Sequence, residues 1–381
     1  MTEGGKKKPI VVLQVIGEMV MGGAESRVME LFRHLDPERV HYDFLVFNPE
    51  EQYFDAEIRE RGSNLYRVLP RYRIYNAAAS KRALREFFRS HPEIDIVQGH
   101  MTSIASVYLP IAKECGVKCG IALAHSAGVE PGLKGTLVRW MRRDLVNIAD
   151  VCMAVSEEAA VAVYGKEAYE SGRVRIQKNG TDLLHYAPTE KNLAGGASVR
   201  EQYGLGTAFV VGHIGRFHYA KNHEFLLEVF REIKHKNAEA KLLLVGNGDL
   251  EDKIRTMVRE LKLENDVIFT GAVKDPAPYY QAMDVMVFPS RYEGLPGTVI
   301  EAQAAGLPIL ISDTVTRDVD ATPLAHYLPL SAGAKTWCDT AIEIRGRQTK
   351  DTEENLRLLR EKGYDLEEQV ESLTKLYEEW A

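Results

Sequence analysis

The chain predicts an α/β protein made of two doubly wound, parallel-sheet domains in tandem. Three observations carry that expectation. Short β-rich apolar runs alternate with longer amphipathic stretches along the chain, the pattern of βαβ units. At 381 residues the chain exceeds the size, about 250–300 residues, at which one hydrophobic core stops growing. Between residues 182 and 207 the alternation lapses into a polar stretch with Pro188 and Gly195-Gly196, then restarts, which marks a linker.

In the first half the expected strands are 10–16, 42–47, 64–68, 94–98, 118–124, 151–155 and 174–177. Helical spacing lies between them, for example at 24–35, 76–89 and 103–115. The second half gives strands at 208–214, 241–245, 267–270, 284–288 and 308–311, and helices at 222–235, 250–261 and 298–305. The last of these helices meets Gly306 and then Pro308, both stop signals. The tail, 365–380, is an amphipathic, acidic helical pattern. The expected domains are residues 1–190 and 205–360. Ligands of such sheets bind outside the carboxyl ends of the strands, and two sheets facing each other would form a cleft.

Composition narrows the function. With 45% hydrophobic and 27% charged residues the chain is too apolar for disorder. Four cysteines in a chain this long do not make a disulfide framework and suit a reducing compartment. No window approaches ~18 uninterrupted apolar residues, so no spanning helix is expected. Lys6-Lys7-Lys8 before an apolar run imitates a signal peptide, but Glu18 follows and no small-residue cleavage site appears. The expected reading is the first strand of a cytoplasmic protein. A net charge of -7 and the lack of an aromatic-laced basic motif disfavour nucleic acid. Residues 1–200 carry 27 Lys+Arg against 25 Asp+Glu, and the remainder 21 against 30, so the two halves differ in sign.

Three loops can carry chemistry. In the first, a strand runs into Gly22-Gly23 and a helix opens at Ala24. Glycines let backbone N–H groups approach a ligand, and a helix start favours an anion; a tight βα turn without a ligand reads the same. In the second, Gly215-Arg216 follows a strand and Lys221 precedes a helix. Arg216 offers a planar fork for phosphate oxygens and Lys221 a mobile point charge, although two solvated surface cations would look alike. The third is the strongest. A strand ends in a loop holding Glu293, Gly294, Leu295, Pro296 and Gly297, and Glu301 lies about one turn into the next helix. Backbone N–H groups there can cradle anionic or hydroxylated atoms. A carboxylate at 301 would repel a diphosphate, so it fits beside a neutral diol such as a ribose.

The E-x7-E spacing of Glu293 and Glu301, inside Glu293-Gly294-Leu295-Pro296, resembles the donor-site signature of glycosyltransferase family 4. Gly215-Arg216 with Lys221 resembles that family's G-R-x4-K diphosphate clamp, and Gly22-Gly23-Ala24-Glu25 its first glycine loop. Asn179-Gly180-Thr181-Asp182 resembles its N-G-[IV]-D segment, with Thr181 where Ile or Val is usual. The likeness spans about residues 9–330 and is nearest to the bacterial exopolysaccharide and capsule transferases.

The resemblance implies two facing Rossmann-like domains (the GT-B architecture), a nucleotide-sugar donor and retention of anomeric configuration; cations and helix N-termini that stabilise the leaving diphosphate make that chemistry coherent without a metal. It also implies that the C-terminal helix, 365–381, joins the first domain. Arg216 and Lys221 would bind the diphosphate, and Glu301 the ribose. Glu293 and the backbone of Gly294 to Gly297 would hold the transferred sugar. Gly246, with Asn247 and Gly248, and Val273 would line the nucleobase pocket. His125, at a strand end, matches the family's N-domain histidine beside that sugar, whereas His100 and His213 read as structural. The departing phosphate would itself take the acceptor proton.

The implied donor is a UDP-sugar rather than a GDP-sugar, and the implied acceptor a glycan or a lipid-linked sugar. Alternatives on the same scaffold are a nucleotide-sugar epimerase or a phosphorylase; a non-catalytic partner subunit is a third. Ala127-Gly128 stand where relatives often carry His-Asn, which bears on acceptor contacts. Asp318-Val319-Asp320 mimics a D-x-D metal motif but reads as a solvated loop, and Cys115-x3-Cys119 as reduced thiols. The stretch 134–147, with Lys134, Arg139, Arg142 and Arg143 among Leu137, Trp140 and Met141, reads as a solvated helix face or as a peripheral membrane contact.

Overall fold

The computed structural model describes residues 8–20, 23–67, 76–125, 133–346 and 352–381. The chain divides into two compact units, Met1–Gly180 with Leu366–Ala381, and Thr181–Asp365.

Among the described residues the first unit holds seven strands: β1 (Ile10–Val15), β2 (Val40–Leu45), β3 (Leu65–Tyr66), β4 (Ile96–Gly99), β5 (Cys119–Ala124), β6 (Val151–Ala154) and β7 (Val174–Ile176). They form one parallel sheet in the order β3-β2-β1-β4-β5-β6-β7. The second unit holds β8 (Val210–Ile214), β9 (Lys241–Val245), β10 (Val267–Gly271), β11 (Val285–Phe288), β12 (Ile309–Ser312) and β13 (Ala325–Leu328), all parallel, in the order β10-β9-β8-β11-β12-β13. Both are doubly wound. The central strands are near-continuous apolar runs because helices cover both faces of a parallel sheet. β5, β8 and β11, for example, are buried at every position.

The order of each sheet reverses at one place, between β1 and β4 in the first unit and between β8 and β11 in the second. Those are the two switch points at which such folds bind ligands.

The C-terminal helix, Leu366–Trp380, closes the first unit, burying Leu373, Leu376 and Tyr377. Tyr377 donates from its hydroxyl to Gln98 Oε1 at 2.6 Å and meets the Tyr42 hydroxyl at 2.8 Å. Arg39 pairs with Glu371 at 2.7 Å and Glu378 at 3.0 Å on the surface.

The stretch read as a linker is not irregular. Residues Glu190–Gln202 form a helix of the second unit, opened by Thr189, whose side chain accepts from Asn192 N. Its two glycines serve packing. A Cβ at Gly195 would press on Pro278, and one at Gly196 would overlap Gln281, both from the helix Ala277–Ala282.

Candidate active site

Two loops flank the switch point of the second unit, and hydrogen bonds between them set its geometry. After β8 the chain turns through Tyr219–Lys221 into the helix His223–Lys236. Asn222 holds that turn in the left-handed region, at φ 56°, and its Nδ2 donates to Pro289 O at 3.1 Å in the loop after β11. Arg291 ties the same loops again, donating from its backbone to Ala220 O at 2.7 Å and from Nη1 to Tyr219 O at 2.6 Å.

These bonds bring Lys221 Nζ to 2.8 Å from Glu293 Oε1 and to 4.6 Å from the centre of the Phe288 ring. Two residues 72 apart in sequence thus form an ion pair at the site, with side chains only 17% and 14% exposed. Arg216 differs. It is exposed and donates to both carboxylate oxygens of Asp249, at 3.3 and 3.0 Å. Such a pair is worth little in water, so Arg216 can turn to a stronger anion.

Glu301 sits on the helix Gly297–Ala304 and accepts from the Tyr280 hydroxyl at 2.7 Å. That helix starts at the loop after β11, so its N-terminal N–H groups face the same end of the sheet as Lys221. Gly294 is exposed, Pro296 is buried, and Leu295 packs partly buried against the core. Among the described residues, Asn222 Oδ1, Ser290 Oγ and Thr298 Oγ1 are buried and have no hydrogen-bond partner. Buried polar atoms ordinarily find partners, and these three lie around the loop after β11 and the first turn of the helix that follows it.

Gly246 follows β9 at φ 134°, and its N–H donates to Gly271 O at 2.9 Å. A Cβ there would overlap the Gly215 carbonyl, so the glycine lets the loops after β8 and β9 touch. Val273 lies just beyond β10, partly buried against the core, on the same sheet edge.

In the first unit the switch point lies between β1 and β4. His100 directly follows β4 and His125 directly follows β5. Their rings stack 5.0 Å apart, and His100 Nδ1 lies 2.7 Å from His125 Nε2. His100 Nε2 in turn lies 2.7 Å from the Oε1 of the fully buried Gln14. Burial pushes His125 down to about 4; burial, with His125 beside it, holds His100 well below the ordinary histidine range. Both imidazoles are therefore neutral near pH 7.

His100, read from sequence as structural, is thus the direct partner of the candidate histidine. The signal for it was present: His100 ends a strand at a switch point, and Gln14 interrupts an otherwise apolar strand. Gly22 lies outside the described residues, as does Ala127-Gly128; Gly23 opens the helix Gly23–His34.

His213 is structural as read: buried, it donates from Nδ1 to Val287 O at 2.9 Å. Asp318 and Asp320 belong to a short turn in which Arg317 pairs with Asp320 at 3.6 Å. The basic stretch forms the helix Leu133–Arg142, on which Trp140 is 60% exposed. Among the described residues no helix is long and apolar enough to cross a membrane.

Residues 21–184 match Glycosyltransferase Family 4, and residues 208–324 match Glycosyl transferases group 1. The chain is 32% identical over 374 residues to EpsF of Bacillus subtilis, named as a glycosyltransferase, covering 96% of both chains. The chain belongs to glycosyltransferase family 4. The chain is also similar to the Escherichia coli UDP-Gal:alpha-D-GlcNAc-diphosphoundecaprenol alpha-1,3-galactosyltransferase, 26% identical over 229 residues, 58% of each chain. Among solved structures, Anabaena HepE in complex with UDP shares the fold with a TM-score of 0.77 at 17% identity, covering 97% of this chain and 100% of that one. The transferase activity and the two Rossmann-like units expected from sequence both stand.

Proposed function

We propose that this family 4 transferase moves a hexose from a UDP-sugar to a glycan or lipid-linked acceptor in surface polysaccharide biosynthesis, without a metal and with retention at the anomeric carbon. The observation that carries the reading is the largely buried Lys221–Glu293 pair at the switch point of the second unit, flanked by Arg216 and Glu301. The names of the relatives support the finer terms: one takes UDP-Gal to a diphosphoundecaprenol-linked sugar, and HepE was solved with UDP.

The chemistry follows from those groups. The bond between C1 and the diphosphate oxygen breaks, and its electron pair leaves with UDP. The acceptor oxygen bonds to C1 on the same face, and its proton passes to the departing phosphate. Negative charge therefore grows on the diphosphate. Lys221, the N-terminus of the helix Gly297–Ala304 and Arg216, once it turns from Asp249, would stabilise it. Glu301 takes the ribose hydroxyls, Gly246 and Val273 border the base, and Glu293 with the backbone of residues 294–297 holds the sugar. His125 contacts the transferred sugar as a neutral imidazole. A lipid-linked acceptor would reach the first unit at the helix Leu133–Arg142, where Leu137 and Trp140 are exposed beside Arg139. Failure of anionic vesicles to retain the protein at low salt would remove that last element.

Thermal unfolding with UDP and GDP, followed by a screen for UDP release across UDP-sugars, tests the reading. A rise in Tm with UDP and acceptor-dependent release are expected. No shift with any nucleoside diphosphate would overturn it. Sugar conversion without an acceptor would point to an epimerase, and a need for free phosphate to a phosphorylase.

A further inference from the structure

The histidine pair of the first unit is wired to the core of its sheet. Gln14 on β1 and Gln98 on β4 are register partners, so both side chains leave the same face of the sheet, and both are buried. Gln98 receives the Tyr377 hydroxyl proton at 2.6 Å, so Tyr42, 2.8 Å from that same hydroxyl, must donate to it. Gln14 receives His100 Nε2 at 2.7 Å.

We infer that Gln14 and His100 are positioning residues that hold His125 in its Nε2–H tautomer, so that it meets its ligand as a hydrogen-bond acceptor through Nδ1. An amide oxygen can only accept, so the proton facing Gln14 belongs to His100 Nε2. A neutral imidazole carries one proton, which leaves His100 Nδ1 with a lone pair. The 2.7 Å contact between His100 Nδ1 and His125 Nε2 then requires the proton to sit on His125 Nε2. The opposite assignment would set a lone pair of His100 against the oxygen of Gln14 at 2.7 Å, which is repulsive. The relay therefore leaves the lone pair on His125 Nδ1.

The consequence rests on the proposed transfer reaction. An acceptor nitrogen selects a sugar hydroxyl as its partner and offers no proton to a phosphate oxygen. His125 then contributes to recognising the sugar, and the relay sets the sign of that contact.

The test begins with a readout independent of activity. Long-range 1H–15N correlation of 15N-histidine-labelled full-length protein at neutral pH reports which nitrogen of His125 is protonated, with His125→Asn supplying the assignment. The Nε2–H tautomer is expected; the Nδ1–H tautomer would overturn the inference whether or not the protein transfers sugar. His100→Phe keeps a planar ring and removes the acceptor. It should release His125 into a mixture of tautomers and lower kcat and kcat/KM about ten- to a hundredfold, with the Kd for UDP, which lacks the sugar, little changed. His100→Asn places a side-chain oxygen near the site of Nδ1 and should restore both the tautomer and most of kcat. A His100→Phe protein with the tautomer and kcat of the native chain, or a His100→Asn protein no better than His100→Phe, would contradict the relay.

Discussion

Replacing Lys221 by Met removes the ammonium while keeping the length of the side chain. The ammonium lies 2.8 Å from Glu293, and both side chains are more than four-fifths buried, so water screens the pair poorly. A hydrogen bond from a charged donor is worth about 1.5–3 kcal/mol. Its loss from the diphosphate of UDP raises Kd about 10- to 150-fold. The orphaned Glu293 carboxylate pushes in the same direction, because it then faces the diphosphate uncompensated.

Two companions separate this from general damage. Arg216→Met should weaken UDP without lowering stability, since its exposed bond to Asp249 at 3.0 Å contributes only ~0–1 kcal/mol. Glu293→Gln removes a negative charge and should leave UDP binding unchanged or tighter while turnover falls. Titration calorimetry with UDP then ranks Glu293→Gln at or above the native chain, and both cation variants below it. A folded Lys221→Met protein that binds UDP with native affinity would refute the assignment of the clamp.

Three further outcomes follow from the geometry. Tyr280→Phe removes the 2.7 Å bond that orients Glu301, and should reduce the preference for UDP over its 2′-deoxy analogue in the same titration. Tyr377→Phe strips Gln98 and Tyr42 of a buried partner and should cost about 1–3 kcal/mol of stability in urea unfolding, with the fold retained. Stability should also depend on pH through His125. Its folded pKa, about 4, lies below the unfolded value near 6.5, so the unfolded chain binds more protons between them. Stability is full above pH ~6.5 and falls as pH drops toward 4, and His125→Asn should flatten that slope by at most ~1.4 kcal/mol per pH unit.

Much of the second unit was legible because its chemistry sits in βα loops, where residues close in sequence stay close in space. Gly215-Arg216 with Lys221, and Glu293 with Glu301, each span a single strand–helix junction. What joins those loops was not legible. The Asn222 bond to Pro289, the Arg216 pairing with Asp249 and the Tyr280 bond to Glu301 link residues 67, 33 and 21 positions apart. No local pattern encodes them.

Two elements were hidden by their own composition. The helix Glu190–Gln202 carries Gly195-Gly196 because Pro278 and Gln281 leave no room for side chains, so a packing device read as a linker. Strand β13 is only half buried at each of its four positions and includes His326, so it lacks the apolar run that marks its neighbours. His100, at a strand end, resembles any core histidine until its partner is known.

Metal-free transfer with retention is tested most directly by the anomeric configuration of the product. Proton NMR of a reaction with an α-configured UDP-sugar and an acceptor, run in the presence of a metal chelator, follows the new glycosidic bond as it forms. An α-linked product formed at an undiminished rate, with UDP released in step, is expected. A β-linked product, or transfer abolished by the chelator and restored by a divalent cation, would contradict it.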